Sequence, residues 1–137
     1  MLAEIKIQKS THNGRLGIVI RKARESDVHL IDEMHDRISK DSMYFRYLGV
    51  KKPGLEELHR LCSNENGMVL VATTDTDNQE KIIGIACYTL YRSDSTSAEP
   101  AVLVEDSYQG LGLGKMIVAD LIRRAIQNGV TQQQYAK

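Results

Sequence analysis

The sequence predicts an α/β chain of the α+β kind, a mixed and mostly antiparallel central sheet flanked by helices. Three observations predict it. Segments with strand-like alternation or β-branched character are interleaved with segments of helical period. Two of the strand segments are separated by a turn short enough to make them an antiparallel hairpin. The last strong strand segment runs directly into a glycine-rich turn and another helical segment. The chain has 137 residues, the size of one domain, and 42% of them are hydrophobic against 10 glycines and 2 prolines. That composition excludes fibrous and disordered classes and provides for a packed core.

Residues 4–9 alternate polar and apolar, and residues 17–21 form a second apolar run beyond Asn13-Gly14. The pair reads as a hairpin whose loop exceeds two residues, with Gly14 accepting a positive φ. Residues 1–16 are accordingly expected to be an N-terminal extension or extra strand, and residues 17–137 the main domain. Val28, Ile31, Met34 and Ile38 recur at helical steps behind Ser26, which is suited to cap the helix amides. Pro53-Gly54 breaks the chain before a short helix carrying Leu55, Leu58, Leu61 and Cys62.

Residues 67–74 and 82–91 read as strands around the polar turn 75–78, and residues 98–105 as a third core strand after a polar loop. In the final helix Ile117, Val118, Leu121, Ile122 and Ala125 make the apolar face, with Lys115, Asp120, Arg123, Arg124 and Gln127 opposite and Gly129 as C-cap. A short last strand could follow within residues 130–137.

Lys+Arg and Asp+Glu are equal at 18 each, so no global basic field exists to hold a nucleic acid. The longest apolar runs fall far short of a bilayer span, and the N-terminus lacks a signal-peptide core; a soluble, cytoplasmic protein is expected, without a membrane partner. Cys62 and Cys87 fit no metal or CxxC spacing and read as small buried hydrophobes. His29 and His35, six apart on a helix, do not share the face that a metal pair needs, so no metal is expected.

The chemistry is concentrated in Gln109-Gly110-Leu111-Gly112-Leu113-Gly114-Lys115. Glycines at alternate positions let a ligand approach the backbone, and the helix beyond offers unpaired amides and the positive end of its dipole, which suits a pyrophosphate. The third glycine comes one residue early for a dinucleotide fingerprint. Gln109 and Met116 occupy the first-glycine and Ser/Thr positions of a P-loop, so both nucleotide motifs fail.

Gln109 to Gly114 resembles the Q/R-x-x-G-x-G/A signature of the GNAT family of N-acetyltransferases, and the whole stretch 98–114 is similar to that family's acyl-CoA motif. The order of elements from about residue 17 to 130 fits as well. Ser42-Met43-Tyr44-Phe45-Arg46-Tyr47, with the leucine-rich helix after it and the pair Ala98-Glu99, is similar to the bacterial protein-lysine acetyltransferase branch.

The resemblance implies the acyl-CoA N-acyltransferase fold and acetyl-CoA as co-substrate. It implies a pyrophosphate held by Gln109, Gly110, Leu111, Gly112, Leu113, Gly114 and Lys115, and a pantetheine arm paired with Val102, Leu103 and Val104. A strand rises about 3.3 Å per residue, so the thioester is expected on the order of 15 Å back from the phosphate turn, near Glu99 and Ala101. A lysine amine near pKa 10.4 must lose a proton before attack, and Glu99 is the candidate base. The acceptor is a primary amine, protein lysine included.

The family normally continues with further strands and a helix, so the C-terminal strands are expected to be lacking. The chain then reads as a shortened piece or as a minimal form completed by homodimerisation through the exposed sheet edge. Tyr135 falls too early for the family's leaving-group tyrosine, and that role is not carried over. The alternative to an enzyme is a non-catalytic acyl-CoA-binding or regulatory module.

Overall fold

The alternation of residues 4–9 becomes β1 (Ile5–Thr11), paired antiparallel with β2 (Gly14–Lys22) from Ile5↔Ile20 to Thr11↔Gly14. This register leaves only residues 12 and 13 between the strands, so the connection is shorter than expected. Gly14 opens β2 at φ +115°. The structure is a computed structural model and describes residues 4–11, 14–39, 55–62, 67–90, 97–127 and 132–133.

A 3-10 turn (Glu25–Asp27) leads into α1 (Val28–Asp36), which buries Val28, Ile31 and Met34 at the expected spacing. Ser26 is not the cap. Asp27 stands at that position, and its carboxylate turns away from the helix amides to accept the Arg24 N–H (2.7 Å) and two N–H groups of Arg21 (2.7 and 2.8 Å). A bidentate charge-assisted pair outcompetes a neutral capping bond. The helix stops at Asp36, and Ile38 reaches the core from beyond it. Next, α2 (Leu55–Cys62) packs on α1.

β3 (Gly67–Thr76) and β4 (Gln79–Leu90) form a hairpin closed at Thr76↔Gln79. Asp77 and Asn78 both take positive φ, 53° and 63°, the combination that matches strand twist in a two-residue turn. The strands outrun the expected hairpin because Asp75, Thr76, Gln79 and Glu80 project beyond the core and are exposed; hydrophobic patterning carries no signal there. Ala72↔Gly84 followed by Thr73↔Ile82 leaves Ile83 as the extra residue of a bulge.

β5 (Ser97–Val104) runs antiparallel to β4, and β6 (Gln132–Gln133) lies parallel to β5 at Ser97 and Ala98. The six strands stand in chain order in one sheet, with β1 at its edge. One face carries α3 (Leu113–Gln127), whose Leu113, Ile117, Leu121 and Ala125 pack on Ile18, Ile20, Leu70, Ile83 and Tyr88. The other carries α1 over Val69, Val71, Ile82, Ile85 and Leu103. A Cβ built on Gly84 would stand 2.9 Å from Ile117 Cδ1, so that glycine sets how closely α3 approaches the sheet.

The polar face expected on α3 needs correction. Lys115 and Gln127 are exposed, but Asp120 and Arg124 are buried at 4% and 5% exposure. The Asp120 carboxylate accepts Arg124 Nε (3.1 Å) and is also paired with Arg123. Neutralised together, these residues are tolerated against the sheet, where either alone would be costly.

Candidate active site

The site begins where β5 leaves the sheet. The Glu105 N–H donates to the Ile83 carbonyl of β4 (2.8 Å). Backbone groups alternate along a strand, so Ala101 and Leu103 also address β4, whereas Val102 and Val104 address the opposite edge. On that edge Gln109 Nε2 donates to the Val104 carbonyl (3.0 Å). Leu103 is therefore turned away from the edge expected to receive a ligand arm, and its side chain is buried against α1. Among the described residues, β6 pairs with β5 only at Ser97 and Ala98, so the pairing stops before Val102.

Beyond Glu105 the chain makes a second 3-10 turn (Asp106–Tyr108), tied by the Tyr108 N–H to the Glu105 carbonyl (2.9 Å) and the Gln109 N–H to the Asp106 carbonyl (3.2 Å). Gln109 thus shapes the turn with both its amide and its side chain. The three glycines then serve two different needs. Gly110 and Gly112 take φ +84° and +75°, the left-handed region, and a Cβ on either would meet nothing within 4 Å. Conformation demands them, and the space outside them is open. For Gly114 the demand is packing: its Cβ position lies 3.6 Å from Val104 Cγ2, where the first helical turn crosses β5.

Met116 N–H donates to the Gly112 carbonyl (3.1 Å) as the first bond of α3. The amides of Leu113, Gly114 and Lys115 precede that bond and have no partner within the helix. Leu113 is anchored in the core, Leu111 is half-buried, and Lys115 is exposed. The result is a set of N–H groups at a positive dipole end, following the open positions at Gly110 and Gly112, of the kind that takes a phosphate group.

Charges that the sequence reading missed stand behind the turn. The Glu105 side chain is 3% exposed and paired with Arg37 Nε and, at 3.6 Å, with Lys81 Nζ. Period-two alternation puts Glu99, Ala101, Leu103 and Glu105 on one face of the strand, which was the available signal. Its arginine partner lies 68 positions away. Tyr108 packs on the core beneath α3, with Lys81 Nζ 5.4 Å from its ring centre.

The backbone places Glu99 in β5 opposite Thr89 of β4. The Glu99 side chain lies outside the described structure, as do Tyr44, Phe45, Tyr47, Gly129 and Tyr135. His35 is buried with Nδ1 2.8 Å from the Ile31 carbonyl, and His29 is exposed. Among the described residues no group of three His, Cys, Asp or Glu could hold a metal, and no helix is long and apolar enough to cross a membrane.

Cys87 is buried and Cys62 half-buried. Burial, with the nearby charges of Asp27 and Glu25, pushes the Cys62 thiol up to about 11. The native protein at pH 7.5 should therefore alkylate at Cys62 at least tenfold more slowly than a free cysteine peptide, measured by mass-resolved iodoacetamide labelling, because the thiolate is the reacting form.

Residues 31–136 match the model of the acetyltransferase (GNAT) family. The chain belongs to that family. This GNAT chain is 32% identical to an acetyltransferase of Pseudomonas aeruginosa over 127 residues, 90% of this chain and 67% of the relative. Among solved structures it is similar to the GNAT domain of S. lividans PAT, with a TM-score of 0.78 at 18% identity over 96% of this chain and 77% of that one. It is also similar to a mutant form of a cAMP-binding acyltransferase from Mycobacterium smegmatis, with a TM-score of 0.61 at 25% identity over 98% of this chain and 39% of that one. As a GNAT protein it is an N-acetyltransferase, of a family that binds an acyl-CoA and an acceptor substrate, and it has that family's fold.

Proposed function

We propose that this GNAT chain moves the acetyl group of acetyl-CoA to a primary amine, protein lysine among the acceptors, by direct attack within a ternary complex. One observation carries the reading: the amides of Leu113, Gly114 and Lys115, unpaired within the helix, follow the positive-φ turn at Gly110 and Gly112, at the end of a strand whose Val102 and Val104 address an edge rather than β4. A pyrophosphate on the turn and an arm running about 15 Å back along that edge bring the thioester near Ala101 and Glu99. Leu113 anchors the end of the turn in the core, and Gln109 fixes its start to Val104.

Glu99 takes the proton from the attacking ammonium, leaving a neutral amine to add to the thioester carbonyl. A backbone N–H of β5 stabilises the oxyanion; as the tetrahedral adduct collapses, the second proton of the attacking nitrogen passes to the departing CoA sulfur, so that CoA leaves as the thiol, and Glu99 releases its proton to solvent. Glu99→Gln should lower kcat about a hundredfold, the low end of general-base effects, with acetyl-CoA affinity within twofold of wild type. An unchanged kcat across pH 6–8 would remove Glu99 from the reaction.

The test of the function is calorimetric titration with acetyl-CoA, followed by release of free CoA in the presence of lysine peptides and small amines. Binding with turnover supports the enzyme, binding without turnover a non-catalytic acyl-CoA module, and no binding overturns both. A homodimer through an exposed sheet edge belongs to the same reading, and a monomer by size exclusion at high protein concentration would exclude it. Cys62 and Cys87, neither of them in a disulfide, suit the reducing cytoplasm.

A further inference from the structure

We propose that Glu105 is a positioning residue for co-substrate binding, holding the phosphate turn in its receiving shape through Arg37 and Lys81. The inference rests on the acyl-CoA reading above. Glu105 is the last residue held to the sheet before the chain turns: its N–H is bound to Ile83 and its carbonyl receives the Tyr108 N–H. Its carboxylate is nearly inaccessible, so it cannot itself meet a ligand.

Two elements close on it from different parts of the chain. Arg37, just past α1, pairs through Nε with Oε1 and donates through Nη2 to the Ile82 carbonyl (2.9 Å). Lys81, from β4, stands 3.6 Å from Oε2 and 5.4 Å from the Tyr108 ring centre. The Ser39 N–H then donates to Asp106 Oδ1 (3.1 Å), so the chain after α1 grips the next residue of the turn as well.

A negative charge buried behind an anion-receiving turn works against that turn's purpose unless cations neutralise it. Two do so here, and the cluster then acts mechanically: it fixes the direction in which β5 exits and, through Tyr108 and Gln109, the aim of the amides that follow. Arg37 and Lys81 are 32% and 29% exposed, so both can rehydrate when Glu105 loses its charge, and the fold should survive Glu105→Gln.

Glu105→Gln should raise the acetyl-CoA Kd and KM about tenfold with kcat within twofold. The KM for S-acetylpantetheine, which lacks the pyrophosphate and nucleotide, should not change. Hydrogen exchange at the Tyr108 and Gln109 amides should quicken while the core of α3 keeps its protection. Arg37→Gln, which leaves Glu105 its lysine, should give the same pattern at smaller amplitude.

Unchanged or tighter acetyl-CoA binding, as expected if the freed cations merely attract phosphate, would overturn the proposal. So would an equal loss for both acyl donors, which marks a general structural defect. Failure of the wild-type protein to bind acetyl-CoA would instead defeat the functional reading, and unchanged exchange at Tyr108 and Gln109 would then overturn the positioning role by itself.

Discussion

Asp27→Ala should destabilise the protein by about 3–5 kcal/mol, the usual cost of removing one partner from a buried ion pair. Arg21 rises from β2 with 5% of its side chain exposed, and Asp27 holds it by two bonds of 2.7 and 2.8 Å. Among the described residues its one other carboxylate contact is Glu80, at 3.1 Å and 38% exposed, and Arg21 Nε has no hydrogen-bond partner there. Removing Asp27 also deprives the Arg24 N–H of its acceptor. Against a domain stability of roughly 5–15 kcal/mol, the change should appear as a fall in Tm of about 10–15 °C. Urea unfolding gives the free energy directly, and a loss below about 1 kcal/mol would show that water or Glu80 suffices for Arg21.

The pH dependence has a fixed sign. Burial alone would push the Asp27 carboxyl upward, but the hydrogen bonds from Arg21 and the Arg24 amide, with their charges, outweigh it and hold the group below its ordinary 3.8. Its stabilisation is therefore complete above about pH 4 and is lost as the pH falls through the folded-state value. The same pair raises the Arg21 guanidinium, led by the Asp27 hydrogen bond, so the arginine stays charged throughout. The wild-type urea midpoint should drop on acidification from pH 5 to pH 3, and Asp27→Ala should be flatter over that window.

What could be read from the sequence was whatever depended on period or on backbone conformation. The spacing of Val28, Ile31 and Met34 and of Ile117, Leu121 and Ala125 located both faces of the sheet, because burial recurs with the helical turn. The phosphate turn was legible for a different reason: positive φ at Gly110 and Gly112 all but requires glycine. Illegible were the places where charges cancel across the fold. Taken singly, Asp120 and Arg124 belong on a wet helix face, Asp27 is an ordinary acid beside a capping serine, and Glu105 is the end of a strand. Each is buried because a countercharge reaches it, and for Glu105 the arginine comes from a different element of the fold. Alternation along β5 puts Leu103 on one face with Ala101 and Glu105, but its backbone direction depended on which strand paired with it. That required the Glu105 to Ile83 bond.

Gly112→Asp should abolish acetyl-CoA binding while leaving the fold intact. Gly112 lies where the turn hands over to α3: its carbonyl receives the first helical bond, and the amides of Leu113, Gly114 and Lys115 follow it. A side chain here projects into open space, so it clashes with nothing in the protein, and Asp tolerates left-handed φ better than most residues. The cost to stability should stay near 1–2 kcal/mol. The ligand meets a different situation. A carboxylate beside those amides competes with the pyrophosphate for them, and two charge-assisted bonds lost at about 1.5–3 kcal/mol each already weaken binding by roughly a hundred to ten thousand times. Repulsion adds to this, about 3 kcal/mol for unit charges ~5 Å apart at an effective dielectric near 20. Gly112→Asn separates the contributions, since it has the same bulk without the charge; it should lose about tenfold, and raising the salt should not rescue it. Calorimetry on the three proteins decides the matter. If Gly112→Asp keeps wild-type affinity, the pyrophosphate is not on this turn, and the path along Val102 and Val104 to Glu99 loses its starting point.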